Sequence, residues 1–571
     1  MRVIFRTDVS AAIGTGHIVR CLALAGALSR RGVAVEFVCR EMSGGLTDLV
    51  AAEGYRLHLL PPGQNDPDQD GPAHAHWLGA STAEDADATL HAIHAGPRPD
   101  WLVVDHYALD QRWESAMRAA AGRIAVIDDL ADRQHDCDLL IDQNLGAESK
   151  GHNRLVGENC RLLLGPCFSL LRPEFAAARH KRYQEGSRAC RLLVSFGGCD
   201  SAGLTLRTLA AIRKLRRSDL VVDVVVGQHN PSLPEIEEEA AALSQASIHV
   251  QTPHMADLMS RADLMIGAAG STTWERCCMG LPGIMVAVAE NQQPIGAAIG
   301  YHRAGWYLGT KEVADESAIG SAIDRLLQRP RLLERISSRA SKMTDGRGAD
   351  RVASALIGRH RITLITDSES WLNPYLHPFV AGLRQAGHTV KQAYRAAEVE
   401  EGDCALFLSC CEIVKRDVLE RNVHNLVVHA SRLPEGRGWS PWVWQILENK
   451  NTIPMTLFEA AYRVDSGVIY LQDSIDLKGH ELLGDIRASV AMKTIELCRR
   501  FVASYPCIAS SGRSQKGLPT YYRRRTAADS QLNPDSTIRE QFNLLRVVDN
   551  ERYPAFFEIG GHRYLIKIVR A

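Results

Sequence analysis

His17 closes a short glycine loop, Gly14-Thr15-Gly16-His17, between an apolar run (RVIFRTD) and a stretch of helical spacing (HIVRCLALAGALSRRG). Glycines let the chain turn tightly there, and free amides at a helix start favour anions. A histidine in that place feels the positive end of the helix dipole, which disfavours its protonated form. A neutral imidazole facing a cleft can take a proton from water or a hydroxyl. Spacing alone leaves a histidine that caps the helix or touches phosphate equally open. A dinucleotide-binding loop would want a third glycine near Arg20, although Glu41 supplies an acid after the second strand.

A second constellation lies far along the chain. The run ADLMIGAAG ends in glycine, Ser271-Thr272-Thr273 opens the next helical stretch, and Glu275 follows about one turn in. Hydroxyls and amides there suit a diphosphate, and a carboxylate can accept both hydroxyls of a ribose. Ser195-Phe196-Gly197-Gly198 ends an earlier strand and would face the same crevice. An ordinary N-cap with Glu275 as its capping-box partner is at least as common an explanation.

A third set begins at His429, at the end of an apolar strand (NLVVHAS), with the loop LPEGRGWSP after it and Asp465-Ser466-Gly467 further on. A histidine at the carboxyl end of a parallel strand lies where sheet proteins place their sites, and a later aspartate could orient it or pass a proton through water. A packed histidine and a plain Asp-Ser-Gly turn are the commoner outcome of such spacing.

The elements that must position these groups alternate strand and helix. RVIFRTD, VAVEFVCR, WLVVDHY, RIAVIDD, LLIDQN and CRLLLG are strand-like runs separated by helical stretches, the pattern of a parallel sheet covered on both faces. After a polar, basic segment from Arg172 to Arg188, the pattern restarts with RLLVSFGG, a helix from Leu204 to Lys214, LVVDVVVG, SIHVQTP, ADLMIGAAG and GIMVAVA. Two such domains in tandem imply a cleft between them. A third sheet begins after His360, a helix is expected around Pro378–Ala386, residues 510–517 read as a linker by composition, and the end of the chain reads as a small β-rich appendage.

Composition narrows the classes. At 571 residues, 45% hydrophobic and 23% charged, the chain exceeds one core and has ordinary globular balance. A net charge of −1 gives no call on nucleic acid or anionic membrane as partners, and Arg523-Arg524-Arg525 stands beside acids rather than in a basic tail. Met1 leads straight into a strand-like run, and no apolar run nears the roughly 18 residues of a membrane helix, so a cytoplasmic protein is expected. The 14 cysteines lie mostly in apolar runs without zinc-knuckle spacing, and no metal is expected. The oligomeric state is not encoded in any of these features, and a homodimer stays open.

The first 350 residues resemble the glycosyltransferase-B superfamily, and most closely the hydrolases of the pseudaminic acid pathway that remove UDP from a 2,4-diacetamido-2,4,6-trideoxy-altrose. The matching pieces are RTDVSAAIGTGHIVRCLALA, VVDHYALDQRWE, IDDLADRQHDCDLLIDQN, LLGPCFSLLRPEF, LVSFGGCD, and AGSTTWERCCMGLP followed by AENQQP. This resemblance implies inverting hydrolysis at the anomeric carbon with His17 as the base. It places Tyr107 near the sugar, Glu275 on the ribose, Ser271 and Thr272 on the phosphates with Gly14, Gly16 and Gly198 alongside, and Asn291 and Gln292 as the sugar-contacting pair.

Residues from about 360 to 565 resemble the formyltransferases that use 10-formyltetrahydrofolate. His-Ala-Ser-Arg-Leu-Pro-Glu-Gly-Arg-Gly matches their active-site loop, Asp465-Ser466-Gly467 their aspartate motif, and TYYRRRTAADSQLNP their tail. By this resemblance His429 and Asp465 are catalytic, and Ser431, Arg437 and Gly438 belong to the folate and formyl site. The family carries an asparagine two residues before the histidine; here that position is Val427, and the nearest asparagine is Asn425.

The expected fold class is therefore α/β. Tandem Rossmann-like domains of glycosyltransferase-B type (1–170, with the catalytic histidine, and 187–358, for UDP) precede an α/β formyltransferase domain (360–508) and a small β-rich C-terminal subdomain (518–571). The expected activity is bifunctional: formylation of the 4-amine of a UDP-linked 4-amino-4,6-dideoxy sugar, and hydrolysis of UDP from the product. The alternatives are hydrolysis alone beside a non-catalytic binding module, and a glycosyltransferase in the N-terminal half.

Overall fold

The computed structural model describes residues 1–10, 13–42, 48–64, 66–179, 190–198, 200–228, 230–462 and 464–571. The chain divides into two compact units, Met1–Leu356 and Ile357–Ala571. Of the polar segment expected from Arg172 to Arg188, Pro173–Ala178 is helical, and positions from 180 onward lie outside the described residues.

The first unit holds two parallel sheets. In the first, seven strands run in the order Arg56–Leu60, Ala34–Arg40, Arg2–Thr7, Trp101–Asp105, Arg123–Ile127, Leu139–Asp142, Arg161–Leu164. Every residue of Arg2–Thr7 and of Trp101–Asp105 is buried, as expected of central strands covered on both faces. Strand order reverses between these two, so the loops leaving their carboxyl ends splay apart and open a crevice. The loop to His17 leaves one, and the loop bearing Tyr107 leaves the other.

The second sheet repeats the plan with six parallel strands, in the order Ala246–Val250, Leu220–Val226, Cys190–Ser195, Leu264–Ala268, Gly283–Ala287, Trp306–Thr310. The helix expected over Leu204–Lys214 is present. Here the order reverses between Cys190–Ser195 and Leu264–Ala268, so Gly197-Gly198 and Gly270-Ser271 follow the carboxyl ends of neighbouring parallel strands.

The second unit carries a mixed six-stranded sheet. Thr389–Ala393, Arg361–Ile365, Gly402–Phe407 and Asn422–His429 are parallel, and Thr452–Glu459 and Ile469–Asp476 continue the sheet antiparallel. The helix expected around Pro378–Ala386 spans Asn373–Gln385. A hairpin, Ala555–Ile559 with His562–Ile566, lies near the chain end over a small apolar cluster. The linker expected at 510–517 is instead tied down: Arg513 bridges Ile469, and Gln515 donates to the carbonyls of Asp465 and Gly467 at 2.9 and 3.0 Å. Small polar residues spelled a flexible segment, but their backbone and amide groups found fixed partners.

Candidate functional site

His17 is the second residue of the helix Gly16–Ser29, whose N-cap is Thr15, so the imidazole is not a cap. It sits 2.6 Å, through Nδ1, from Oδ1 of Asp105 at the end of the neighbouring central strand. Asp105 is fully buried and also receives Arg20 Nε and Nη2 at 2.7 and 2.6 Å. Burial opposes its ionisation, but the Arg20 guanidinium and His17 hold the carboxyl well below the usual range. A carboxylate at Nδ1 favours the tautomer with its proton on that nitrogen, and Arg20 Nη2 lies 3.3 Å from the same atom. Among the described residues nothing hydrogen-bonds Nε2, and it is not among the atoms sealed from solvent without a partner. The residue as a whole is only 6% exposed, so the open cleft expected around His17 reaches no more than its edge.

Arg20 fills the place a dinucleotide loop would give to glycine, and its other nitrogen reaches Asp129 at 3.1 Å. Tyr107 is buried and donates its hydroxyl to Asp129. Burial and the Asp129 carboxylate raise the phenol far above its usual range, so it stays protonated. Its ring meets His17 edge-on, with centroids 4.5 Å apart, and lies beside Trp77 at 5.7 Å. Tyr107 thus backs the imidazole rather than standing free in the cleft.

The opposite wall comes from the second sheet. Ser271 precedes the helix Thr272–Cys278 and makes no side-chain cap, and Glu275 is not a capping-box partner. A Cβ placed on Gly16 would lie 3.8 Å from Ser271 Oγ, and one on Gly270 3.3 Å from Gln292 Nε2. The loop before His17 therefore abuts the Ser271 turn, with Gln292 close behind; Gln292 Oε1 accepts from the Val288 amide at 3.1 Å. Burial pushes the Glu275 carboxyl up to about 7, with Arg172 opposing and Glu174 adding to the rise. Among the described residues no side chain pairs with it.

Gly14, Thr15, Gly198, Asn291 and Gln292 line one cleft of about 910 Å³ together with His74 and Trp77. Its described lining includes no lysine or arginine and does include Asp132, Asp200 and Glu290. The two walls are also joined through Asn144: its Oδ1 accepts from Trp274 Nε1 at 3.1 Å, and its Nδ2 donates to Asp129 at 3.3 Å.

In the second unit His429, Asp465 and Gly438 line a cavity of about 480 Å³ with apolar walls that include Val427 and Trp439. His429 Nε2 lies 3.1 Å from the Gly438 carbonyl and 3.7 Å from Asp465 Oδ2, and Nδ1 lies 2.9 Å from Ser431 Oγ. Both ring nitrogens are therefore engaged. Asp465 has φ +55°, and its Oδ2 accepts from the Gly438 amide at 3.1 Å. Gly438 cannot carry a side chain: a Cβ would stand 2.3 Å from the Tyr522 carbonyl. Arg437 is committed to Gln515 Oε1 at 2.6 Å. Asn425 Nδ2 donates to the Leu419 carbonyl at 2.7 Å, so this side chain is turned to the end of the short helix Arg416–Leu419 that precedes its strand. Among the described residues of the chain no cluster is arranged to hold a metal, and no helix is long and apolar enough to cross a membrane.

Sequence reasoning did not single out Asp105, Asp129, Asn144, His74 or Trp77 as site residues. Asp105 stood in view beside Tyr107, but its contact with His17 spans 88 positions and follows from strand order, which no local pattern prints.

No family model matches the chain. It is 24% identical over 298 residues to the UDP-2,4-diacetamido-2,4,6-trideoxy-beta-L-altropyranose hydrolase of Campylobacter jejuni, covering 51% of this chain and 94% of that one. It is 28% identical over 209 residues to the spore coat polysaccharide biosynthesis protein SpsG of Bacillus subtilis, covering 35% of this chain and 59% of the relative. Among solved structures it is similar to Acinetobacter baumannii MurG (TM-score 0.46, 13% identity, 62% of this chain and 99% of that chain). It is also similar to a Clostridium thermocellum methionyl-tRNA formyltransferase (TM-score 0.32, 18% identity, 37% and 93%) and a Francisella tularensis 4-N formyltransferase (TM-score 0.29, 16% identity, 37% and 97%). The chain is an α/β protein of parallel Rossmann-like sheets followed by a mixed sheet. Its N-terminal half resembles the altropyranose hydrolase.

Proposed function

We propose that the N-terminal unit hydrolyses a UDP-linked amino sugar at the anomeric carbon. The observation that carries this reading is the His17–Asp105 pair at 2.6 Å, set against the Ser271 turn by way of Gly16. Nε2 of His17 takes a proton from water as the water oxygen bonds to the anomeric carbon. The bond from that carbon to the phosphate oxygen breaks, and UDP leaves with the electron pair. Asp105 stabilises the resulting imidazolium. Ser271, Thr272, Gly14, Gly16 and Gly198 hold the diphosphate, Glu275 the ribose, and Asn291 and Gln292 the sugar. By analogy with the Campylobacter relative, the sugar is a deoxy acylamino hexose of nonulosonic (pseudaminic) acid synthesis.

The C-terminal unit is proposed to formylate the 4-amine of the same class of UDP-sugar. The apolar cavity beside His429 and Asp465 has room for a reduced pterin, and 10-formyltetrahydrofolate would supply a formyl group there. As an amine nitrogen bonded to that formyl carbon, the bond from the carbon to the folate nitrogen would break, and Asp465 or His429 would accept the one proton the amine loses and return it to the departing folate nitrogen. Ser431 and Gly438 hold the imidazole in place.

Three observations favour a second reading of this unit as a binding module without chemistry. Val427 occupies the position of an oxyanion donor, Asn425 is turned away, and both nitrogens of His429 are engaged. Losing such a donor typically costs about 10²–10³ in rate. Incubating the protein with a UDP-4-amino-4,6-dideoxy sugar, with and without 10-formyltetrahydrofolate, separates the readings by mass. Formyl gain together with UDP release supports the bifunctional enzyme. UDP release alone supports the binding module, and release only on adding an acceptor indicates a glycosyltransferase.

A further inference from the structure

A short helical turn, Ala75–Leu78, projects an aromatic side chain into the cleft wall next to His17. Leu78 is 2% exposed and anchors the turn in the core of the first domain. The turn closes on Gly79 at φ +64°, where the Gly63 backbone approaches so closely that a Cβ on Gly63 would lie 2.0 Å from the Gly79 carbonyl. The indole of Trp77 is therefore held, not loose. Its ring stacks on Tyr107 at 29° and meets His17 edge-on at 6.4 Å, with His74 against it at 4.5 Å.

We propose that Trp77, braced by His74 and Tyr107, decides which sugars the cleft accepts by covering an apolar face of the ring. This rests on the UDP-sugar reading and deepens it. A sugar whose anomeric carbon lies near His17 Nε2, and whose diphosphate lies at the Ser271 turn, has the Trp77 wall as its neighbour. A half-buried indole face offers van der Waals contact to C–H groups and no acceptor for hydroxyls. A sugar with a methyl group on C5 keeps its carbon face on the indole. A sugar with a hydroxymethyl group there places a hydroxyl against a surface that cannot hydrogen-bond it. Pockets of this kind discriminate by about 10- to 100-fold.

The test measures affinity by calorimetry in the full-length protein carrying His17→Ala, so that no turnover intervenes. The probes are UDP, a UDP-linked 6-deoxy acetamido hexose, and its 6-hydroxy counterpart. The expected result is a preference for the deoxy sugar of about tenfold or more that Trp77→Phe largely keeps and Trp77→Ala abolishes, with UDP affinity within about threefold throughout. In otherwise wild-type enzyme the same ordering should appear in kcat/KM. A preference that survives Trp77→Ala overturns the proposal, as does a fall in UDP affinity as large as the fall for the sugars, which marks a folding role. If the parent protein binds these sugars but never releases UDP, the hydrolase reading fails while the affinities still decide the role of Trp77.

Discussion

His17 depends on Asp105 for tautomer and orientation, and Asp105 depends on Arg20 to stay ionised inside the protein. Asp105→Asn should therefore lower kcat for UDP release by on the order of 10²–10⁴ while UDP affinity stays near its parent value. Steady-state kinetics beside calorimetry checks this, and a parallel loss of UDP binding would indicate collapse of the buried cluster instead. Glu275 supports a pH prediction. Its carboxyl is raised to about 7 in the folded protein, so its contribution to stability is present below its ordinary value of 4.5 and lost as pH rises through about 7. Ribose hydroxyls donate to the ionised form, so uridine binding should release a proton and weaken by up to about tenfold per pH unit as pH falls below 7. Calorimetry in buffers of different ionisation enthalpy reads that proton, and Glu275→Gln should flatten the profile. At this scale the sequence made the Gly-x-Gly-His loop and the Ser-Thr-Thr-x-x-Glu run conspicuous, because each is local. Trp77 was silent, since a tryptophan among small residues carries no mark of the cleft it faces.

The elements act through where strand order reverses. In each sheet of the first unit the two loops at the reversal carry the candidate groups, and Asn144 ties the walls through Trp274 and Asp129. Trp274→Phe keeps the packing but removes the indole donor, which leaves Asn144 free to turn away from Asp129. The expected outcome is a fall in kcat of about tenfold or more with UDP affinity changed less than about threefold, since orientation and not nucleotide binding is lost. Equal losses in both would assign Trp274 a purely structural role. Alternating strand runs spelled out the sheets well, because buried parallel strands are apolar throughout. The 510–517 segment was misread because its partners, Asp465 and Gly467, lie far away in sequence.

For the whole molecule, the two candidate sites lie in separate compact units, each with its own apolar core. His17→Ala should abolish UDP release and leave formylation intact, and His429→Ala should do the reverse. Loss of both activities from either change, measured by product mass, would contradict independent sites. The motifs of the two units are what suggested the two proposed activities; what could replace the donor at Val427 was not legible, because no local pattern marks a substitute.

The central claim is that water, deprotonated by His17, attacks the sugar carbon and not the phosphorus. Turnover of a UDP-linked acylamino deoxy sugar in ¹⁸O-labelled water tests it directly. The label is predicted in the free sugar, with unlabelled UDP, and the reaction is predicted to vanish in His17→Ala. Label in the phosphate, or undiminished UDP release by His17→Ala, would contradict the account.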